Sequence, residues 1–238
     1  MTDQRLDFII FGATGFTGKY AVKIAVQLAV EKQMKFGVSG RRKQALEAIV
    51  KEFASNIDDV PIFIADLKDE ESLKKMTSQA KVLINCCGPY RFYGEPIIKA
   101  CIATHTHQID VSGEPQYPTF FSGGYVGYEV AKPEELDKIK FSITFKAEGW
   151  TEKLIEPTDK HKDPPNKVLI TKVSGTNPGY GATCTMLLLS AITILKESDK
   201  IPVNGGVLSP GAAFGKTSLI EELIKKDIKF EVISSIEK

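Results

Sequence analysis

Three glycines spaced three residues apart, Gly12, Gly15 and Gly18, constrain the fold of this chain more than any other feature of its sequence. The residues before them, 7–11, form a short apolar run of the kind that becomes a buried strand. The residues that follow, 18–32, repeat apolar side chains at helical spacing. The sequence therefore predicts a strand, a tight turn and a helix in direct succession.

Strand and helix signals keep alternating up to residue 115. A chain that alternates in this way forms a parallel sheet with helices on both faces, so we predict an α/β fold with a Rossmann-type domain over residues 1–115. The further predicted strands are residues 35–39, 60–65, 81–86 and 108–111, and the further predicted helices are residues 43–55, 69–79 and 95–103.

The pattern changes at residues 117–127, which are rich in aromatic residues, Gly and Pro, and we place a domain junction there. Two alternating runs, 140–147 and 167–173, predict antiparallel strands joined by an exposed loop. The predicted second domain, residues 116–238, is mixed α/β, with helices at 182–196 and 216–226 and a last strand at 229–234.

Charge and composition narrow the functional class. The chain has 31 Lys and Arg residues and 30 Asp and Glu residues, so no net field attracts nucleic acid. Its longest apolar stretches are shorter than the roughly 20 residues of a membrane-spanning helix, and none is predicted. Four cysteines without a CxxC pair, and no secretory leader before the first apolar segment, predict free thiols and a cytoplasmic location.

The glycine-lined turn has the chemistry of a diphosphate-binding site. Glycine adopts torsions that other residues resist, and it lets main-chain N–H groups approach a phosphate closely. The start of the following helix adds unpaired N–H donors and the positive end of the helix dipole. A tight turn without a ligand is the alternative interpretation. The residues assigned to this site are Gly12, Thr14, Gly15, Phe16, Thr17 and Gly18.

The end of the second predicted strand indicates which dinucleotide is bound. NAD sites place an acidic side chain there, whereas this chain has Ser39, Gly40, Arg41 and Arg42. A guanidinium group donates paired hydrogen bonds to a phosphate such as that on the ribose 2′ position of NADP. The sequence therefore predicts NADP in preference to NAD. Alternatively, the two arginines only begin a solvated helix.

Two other strand ends are candidate cofactor contacts, because ligands bind at the carboxyl ends of strands in open parallel sheets. Asp66 is placed to accept a hydrogen bond from the adenine amino group, or else it is a helix N-terminal cap. Cys87, Gly88 and Pro89 are predicted to lie near the ribose on the nicotinamide side.

No residue is assigned a catalytic role. Asp110 and Glu114 are candidate general acids or bases, but capping is favoured for both. Tyr90 is the nearest titratable candidate, although an aromatic at this position more often packs against the cofactor or the core. Cys86 and Cys87 are interpreted as buried, inert thiols.

Metal and nucleoside triphosphate sites are not predicted. His105 and His107 lack a third ligand at matching spacing. The segment Gly215, Lys216 and Thr217 is similar to the end of a P-loop, but Pro210 stands where that motif requires a glycine.

Four segments of the chain resemble the saccharopine dehydrogenase-like oxidoreductases of animals: residues 12–18, 85–90, 110–114 and 205–234. The resemblance implies a Rossmann domain followed by a mixed α/β domain and a nicotinamide cofactor. It also implies association with lipid droplets or other intracellular membranes. Assembly into a homo-oligomer is a further open prediction. The substrate is undefined in this family.

The chain departs from the family between Glu114 and Pro118, where relatives carry a long segment with a markedly apolar stretch. It therefore resembles an internally deleted form with a shortened second domain. Three interpretations stay open. They are an NADP-dependent oxidoreductase that transfers hydride to or from a carbonyl, imine or hydroxyl carbon, a catalytically inactive nucleotide-binding or lipid-droplet-associated scaffold, and a chain with exposed apolar faces that is not stable alone.

Overall fold

The computed structural model describes residues 4–57, 59–112, 133–156, 159–202 and 205–238. These residues form two compact units. The first comprises the described part of Met1–Val130 together with Thr183–Leu219. The second comprises the described part of Ala131–Ala182 together with the chain from Ile220 to Lys238. Each unit is described separately below.

A five-stranded parallel sheet forms the centre of the first unit, as the sequence predicts, with the strand order β3-β2-β1-β4-β5. The chain builds outward from β1 in one direction through β2 and β3, and then crosses back to add β4 and β5 on the other side. The carboxyl ends of β1 and β4 therefore border the topological switch point, where open parallel sheets bind ligands. The strands are Leu6–Phe11 (β1), Phe36–Gly40 (β2), Ile62–Ile64 (β3), Ala80–Asn85 (β4) and His107–Asp110 (β5).

Helices cover both faces of this sheet, which confirms the predicted fold class. On one face, Ile9 and Phe11 of β1 pack with Leu73 of α3 and Ile97 of α4. Alternate strand residues point to opposite faces, and Phe8 and Ile10 are equally buried on the other side. The helices are Phe16–Lys32 (α1), Lys43–Phe53 (α2), Glu70–Thr77 (α3), Tyr90–Ala103 (α4) and Thr183–Lys196 (α5).

Helix α5 belongs to the first unit, although the sequence places it in the domain that begins at residue 116. It packs against α1, β4 and β5, and its side chains Cys184 and Leu188 are fully buried. The observed units are therefore discontinuous in sequence, in contrast to the predicted division into residues 1–115 and 116–238. Among the described residues, Pro178–Lys196 is long and apolar enough to cross a membrane, but half of its apolar window is buried inside the protein.

The second unit contains a three-stranded antiparallel sheet in the order β6-β7-β8. This confirms the two antiparallel strands predicted from alternation. One sheet face carries Ile143, Phe145 and Val232, all exposed. The strands are Lys140–Gly149 (β6), Lys167–Thr176 (β7) and Lys229–Glu237 (β8).

Short helices occur in both units. They are Pro133–Leu136, Pro178–Ala182, Ser198–Lys200, Pro210–Phe214 and Leu219–Ile224.

Glu197, at the end of α5, anchors the chain that follows it in the first unit. Its carboxylate accepts hydrogen bonds from the Ser218 amide at 3.1 Å and from the Ser218 hydroxyl, and pairs with Lys200 at 2.7 Å. The hydrogen bond from Lys200, followed by that from Ser218, lowers the pKa of Glu197 below its ordinary value of 4.5. A lowered folded-state pKa stabilises the folded protein above that ordinary value and ceases to do so as the pH falls through the folded pKa.

We expect Glu197→Gln to lower the melting temperature by a few degrees at neutral pH, because the charged partner of Lys200 and Ser218 is lost. The difference from the wild type should shrink as the pH is lowered below the ordinary carboxyl range. Thermal unfolding followed by circular dichroism across this pH range measures it. Glu52→Gln, at an exposed position of α2, is the control; a constant difference at every pH would contradict the assignment.

Candidate cofactor-binding site

The turn between β1 and α1 is closed by main-chain hydrogen bonds and tied to the end of β2. The amides of Gly12 and Ala13 donate to the Ser39 carbonyl at 3.0 and 3.2 Å, and the Gly15 amide donates to the Gly12 carbonyl at 2.9 Å. Gly12 has a φ of +82°, in the left-handed region where a side chain is strained. The turn thus has a fixed shape that requires glycine.

The three glycines bring the start of α1 close to the strand end. A Cβ atom at Gly18 would lie 2.1 Å from the Gly12 carbonyl oxygen, and one at Gly12 would lie 2.7 Å from the Cys87 sulfur. Gly15 is the N-cap of α1 and contributes no side-chain cap, and Gly15 lies at the surface. The first amides of a helix have no intrahelical acceptor, so the turn forms a main-chain cradle suited to an anion.

Arg41 and Arg42 lie at the end of β2, beside this cradle, and both side chains are exposed. Burial raises the pKa of the Cys87 thiol to about 12, and the positive charge of Arg41 acts in the opposite direction. The direction of this effect fits the order of the sheet, in which the ends of β2 and β4 flank the end of β1. Helix α2 does begin at Lys43, directly after the arginines, as in the alternative interpretation. Because the side chains of Arg41 and Arg42 are both exposed, their position at the start of α2 leaves them able to bind an anion.

Asp66 follows β3 at the same edge of the sheet. Its Oδ1 accepts a hydrogen bond from the Lys68 amide at 2.9 Å. The N-cap of α3 is instead Asp69, which accepts from the amides of Glu71 and Ser72. The sequence interpretation of Asp66 as a helix cap is therefore wrong, because the chain makes one more turn before α3 begins.

Asn85, which the sequence analysis did not assign to the site, organises the end of β4. It is fully buried, and its Oδ1 accepts a hydrogen bond from the Cys87 amide at 2.9 Å. The Tyr90 hydroxyl donates to the Asn85 carbonyl at 2.9 Å. A polar residue ending an otherwise apolar strand was the available signal. These two bonds fix the path of Cys87, Gly88 and Pro89, which lie between them.

Two buried polar atoms at this edge have no hydrogen-bond partner among the described residues: Oγ of Ser39 and Nδ2 of Asn85. Both residues pair in register with Phe11, one on each side of β1. Buried polar groups are nearly always paired, so such atoms need an explanation, and a bound water or polar ligand is one. Their position beside the glycine cradle fits an edge of the sheet that receives a polar ligand.

The titratable groups at the end of β4 are held in their neutral forms. Burial, reinforced by Cys184, raises the pKa of Cys86 well above its usual range. Cys86 and Cys87 are only half-buried, so the prediction that both are buried is wrong. Their raised pKa values still fit the prediction of inert thiols. Burial likewise raises the pKa of Tyr90, whose hydroxyl already donates to a main-chain carbonyl. Tyr90 is thus a protonated, positioned side chain, unsuited to act as a general base at neutral pH.

The remaining candidates have structural partners. Asp110 accepts hydrogen bonds from the Ser112 amide at 2.9 Å and from the Gln108 side chain at 2.6 Å. Residues 111 and 112 are not helical, so the predicted role of Asp110 as a helix cap stays a prediction. Glu114 and the junction at residues 116 and 117 lie outside the described residues. The structure groups no three His, Cys, Asp or Glu side chains for a metal within its described part. Gly215 caps the carboxyl end of the helix Pro210–Phe214. The helix predicted at residues 216–226 forms over the shorter range Leu219–Ile224.

A parallel sheet with a switch point, a glycine cradle after β1 and basic side chains after β2 define a dinucleotide-binding Rossmann domain. A family model described as the saccharopine dehydrogenase NADP binding domain matches residues 8–137. This match covers more than half of the chain, and the chain belongs to that family. The resemblance stated from the sequence is thereby confirmed.

Known relatives match about the same half of the chain. The saccharopine dehydrogenase-like oxidoreductase of Mus musculus is 39% identical over an aligned length of 127 residues, and the match covers 49% of this chain and 30% of the relative. The lipid droplet localized protein of Caenorhabditis elegans is 36% identical over 118 residues, 48% of this chain and 28% of the relative. The chain thus matches less than a third of the length of these relatives.

A solved structure of apo saccharopine dehydrogenase (L-Glu forming) from Saccharomyces cerevisiae is similar to 44% of this chain, with 17% identity and a TM-score of 0.36. The similarity covers 21% of that enzyme.

Proposed function

We propose that the chain binds NADP(H) and, as an oxidoreductase, uses it to transfer hydride to or from a carbonyl, imine or hydroxyl carbon. The observation that carries the proposal is the glycine cradle with exposed Arg41 and Arg42 beside it. A Cβ at Gly18 would lie 2.1 Å from a main-chain oxygen, so the approach of α1 to β1 exists only with glycine there. Such an approach serves a diphosphate.

Each part of the cofactor has a proposed partner in the chain. The diphosphate lies over the amides of residues 12–18, and Arg41 and Arg42 bind the ribose 2′-phosphate with paired hydrogen bonds. Asp66 faces the adenine amino group, and the segment from Cys87 to Pro89 borders the nicotinamide ribose. The bound cofactor supplies the hydride chemistry, while these residues bind it and orient it. The unpaired Oγ of Ser39 and Nδ2 of Asn85 support a polar ligand at this edge.

Titration of the chain with NADPH and NADH by calorimetry tests the cofactor preference. We expect tighter binding of NADPH, because each hydrogen bond between a guanidinium and the 2′-phosphate is charge-assisted. Replacing both Arg41 and Arg42 with alanine should weaken NADPH binding by about tenfold to a hundredfold and leave NADH binding unchanged. Lys51→Ala, on an exposed position of the same helix α2, is the control. Equal affinities for both cofactors, or no binding, would refute the proposal.

A second candidate function is nucleotide binding without turnover. It is favoured because the side chains of Tyr90 and Asp110, the candidate catalytic groups, already form hydrogen bonds with main-chain groups. An NADPH-binding chain that oxidises no cofactor with amino-acid, imine or aldehyde substrates supports this candidate, and turnover of any of them removes it. Lipid-droplet association and a homo-oligomer stay predictions for this chain.

A further inference from the structure

The first turn of α4 exposes a cationic and two aromatic side chains side by side. Phe92 is 63% exposed and Tyr93 is 42% exposed, and their rings meet edge to face with centroids 6.3 Å apart. The Arg91 guanidinium lies 4.5 Å from the centroid of the Phe92 ring. We call Arg91, Phe92 and Tyr93 the α4 platform. It combines apolar ring surface with a positive charge.

The α4 platform is held firmly at the end of β4. The amides of Phe92 and Tyr93 donate to the Pro89 carbonyl at 3.1 and 3.2 Å. The Tyr90 hydroxyl ties the start of the helix to the Asn85 carbonyl. The orientation of the platform therefore follows from the strand end and not from a free loop. Preorganised side chains lose little freedom when a ligand binds.

Position, more than exposure, singles out this surface. Ile102 is 70% exposed on the same helix but lies near its other end, and single exposed apolar residues are common on proteins. In the proposed complex, Arg41 and Arg42 hold the adenosine half of the cofactor on the β2 side of the switch point. The nicotinamide half then lies over the ends of β4 and β5. Helix α4 begins directly after Pro89, so the α4 platform lies within one helical turn of the residues proposed to border the nicotinamide ribose.

We propose that the α4 platform binds the substrate, and that this substrate joins an apolar, ring-bearing body to a carboxylate next to the reacting carbonyl. The inference rests on the proposed NADP(H)-dependent function. The Phe92 and Tyr93 rings pack against the apolar body. Arg91 donates paired hydrogen bonds to the carboxylate, and the ring beneath it restrains the orientation of its planar guanidinium.

Three probes separate the two halves of this recognition. Benzoylformate has a ring, a ketone and a carboxylate; pyruvate lacks the ring, and acetophenone lacks the carboxylate. Binding is measured by calorimetry on the chain saturated with NADP⁺, in which ketones are not reduced. We expect benzoylformate to bind about tenfold more tightly than either of the other two probes.

Variants assign each half to its residue. Phe92→Ala should weaken benzoylformate binding about fivefold and leave pyruvate binding unchanged, because only the ring contact is lost. Arg91→Gln should weaken benzoylformate and pyruvate about tenfold and leave acetophenone unchanged. Ile102→Ala is the matched control on the same helix and should change nothing. NADP⁺ affinity, measured first, should be unaltered in all three variants.

The outcomes separate this inference from the proposed function. Failure of the wild-type chain to bind NADP⁺ overturns the proposed function and the inference together. Normal NADP⁺ binding with no binding of any probe, or with equal affinities for all three, overturns the inference alone. It is also overturned if Phe92→Ala and Arg91→Gln bind benzoylformate as tightly as Ile102→Ala does.

Discussion

Replacement of Gly18 by alanine is expected to weaken NADPH binding by about a hundredfold or more. The added Cβ would lie 2.1 Å from the Gly12 carbonyl oxygen and 2.8 Å from the Ala13 Cα, and both are main-chain atoms that cannot swing aside. Helix α1 must therefore move away from β1. The first amides of α1 then no longer point at the diphosphate, and several charge-assisted hydrogen bonds are lost together. Calorimetric titration with NADPH measures the loss.

Gly211→Ala is the matched control for this substitution. A Cβ at Gly211 would have no atom within 4 Å, so NADPH binding should be unchanged. Because α1 also packs in the core, circular dichroism must show that the Gly18→Ala chain keeps its helices and sheet. A folded Gly18→Ala chain that binds NADPH as tightly as the wild type would contradict the proposal that the diphosphate binds at the glycine cradle.

The sequence predicted the parallel sheet well because its signals are local. Each apolar run is short and ends at a residue that breaks a strand, and the following helical period is visible without knowledge of the tertiary fold. The start of α4 was missed. It begins at Tyr90, five residues before the predicted start at residue 95, and continues through Gly94 and Pro96. Both residues disfavour a helix, but burial of Ile97 against the sheet outweighs that preference.

The candidate site could be predicted only in its local parts. The glycines and the arginines stand in a recognisable order along the chain, and the sheet places the ends of β1 and β2 side by side. The role of Asn85 depends on how the chain turns back after β4, which no periodicity records. The packing of α5 in the first unit depends on residues far away in sequence. For example, the Cys184 thiol of α5 donates to the Thr17 carbonyl at 3.5 Å.

Substitution of Leu188 by alanine is expected to lower the free energy of unfolding by about 2–5 kcal/mol. Leu188 is fully buried in α5, and α5 packs against α1, β4 and β5 within the first unit. Removing the side chain leaves a cavity in a closely packed core, which costs more than the lost apolar contact alone. Total stabilities are only about 5–15 kcal/mol, so the change should be plain in urea unfolding followed by circular dichroism.

The same substitution decides what the apolar character of α5 is for. The helical stretch Pro178–Lys196, which contains α5, is long and apolar enough to cross a membrane, but a membrane span and a core helix respond differently to the loss of one leucine. Met186→Ala, at a position of α5 that is 36% exposed, is the control and should cost well under half as much as Leu188→Ala. Leu188 and Met186 variants of equal stability would contradict the core role, because a fully buried side chain in a core loses more apolar contact than one that is partly exposed.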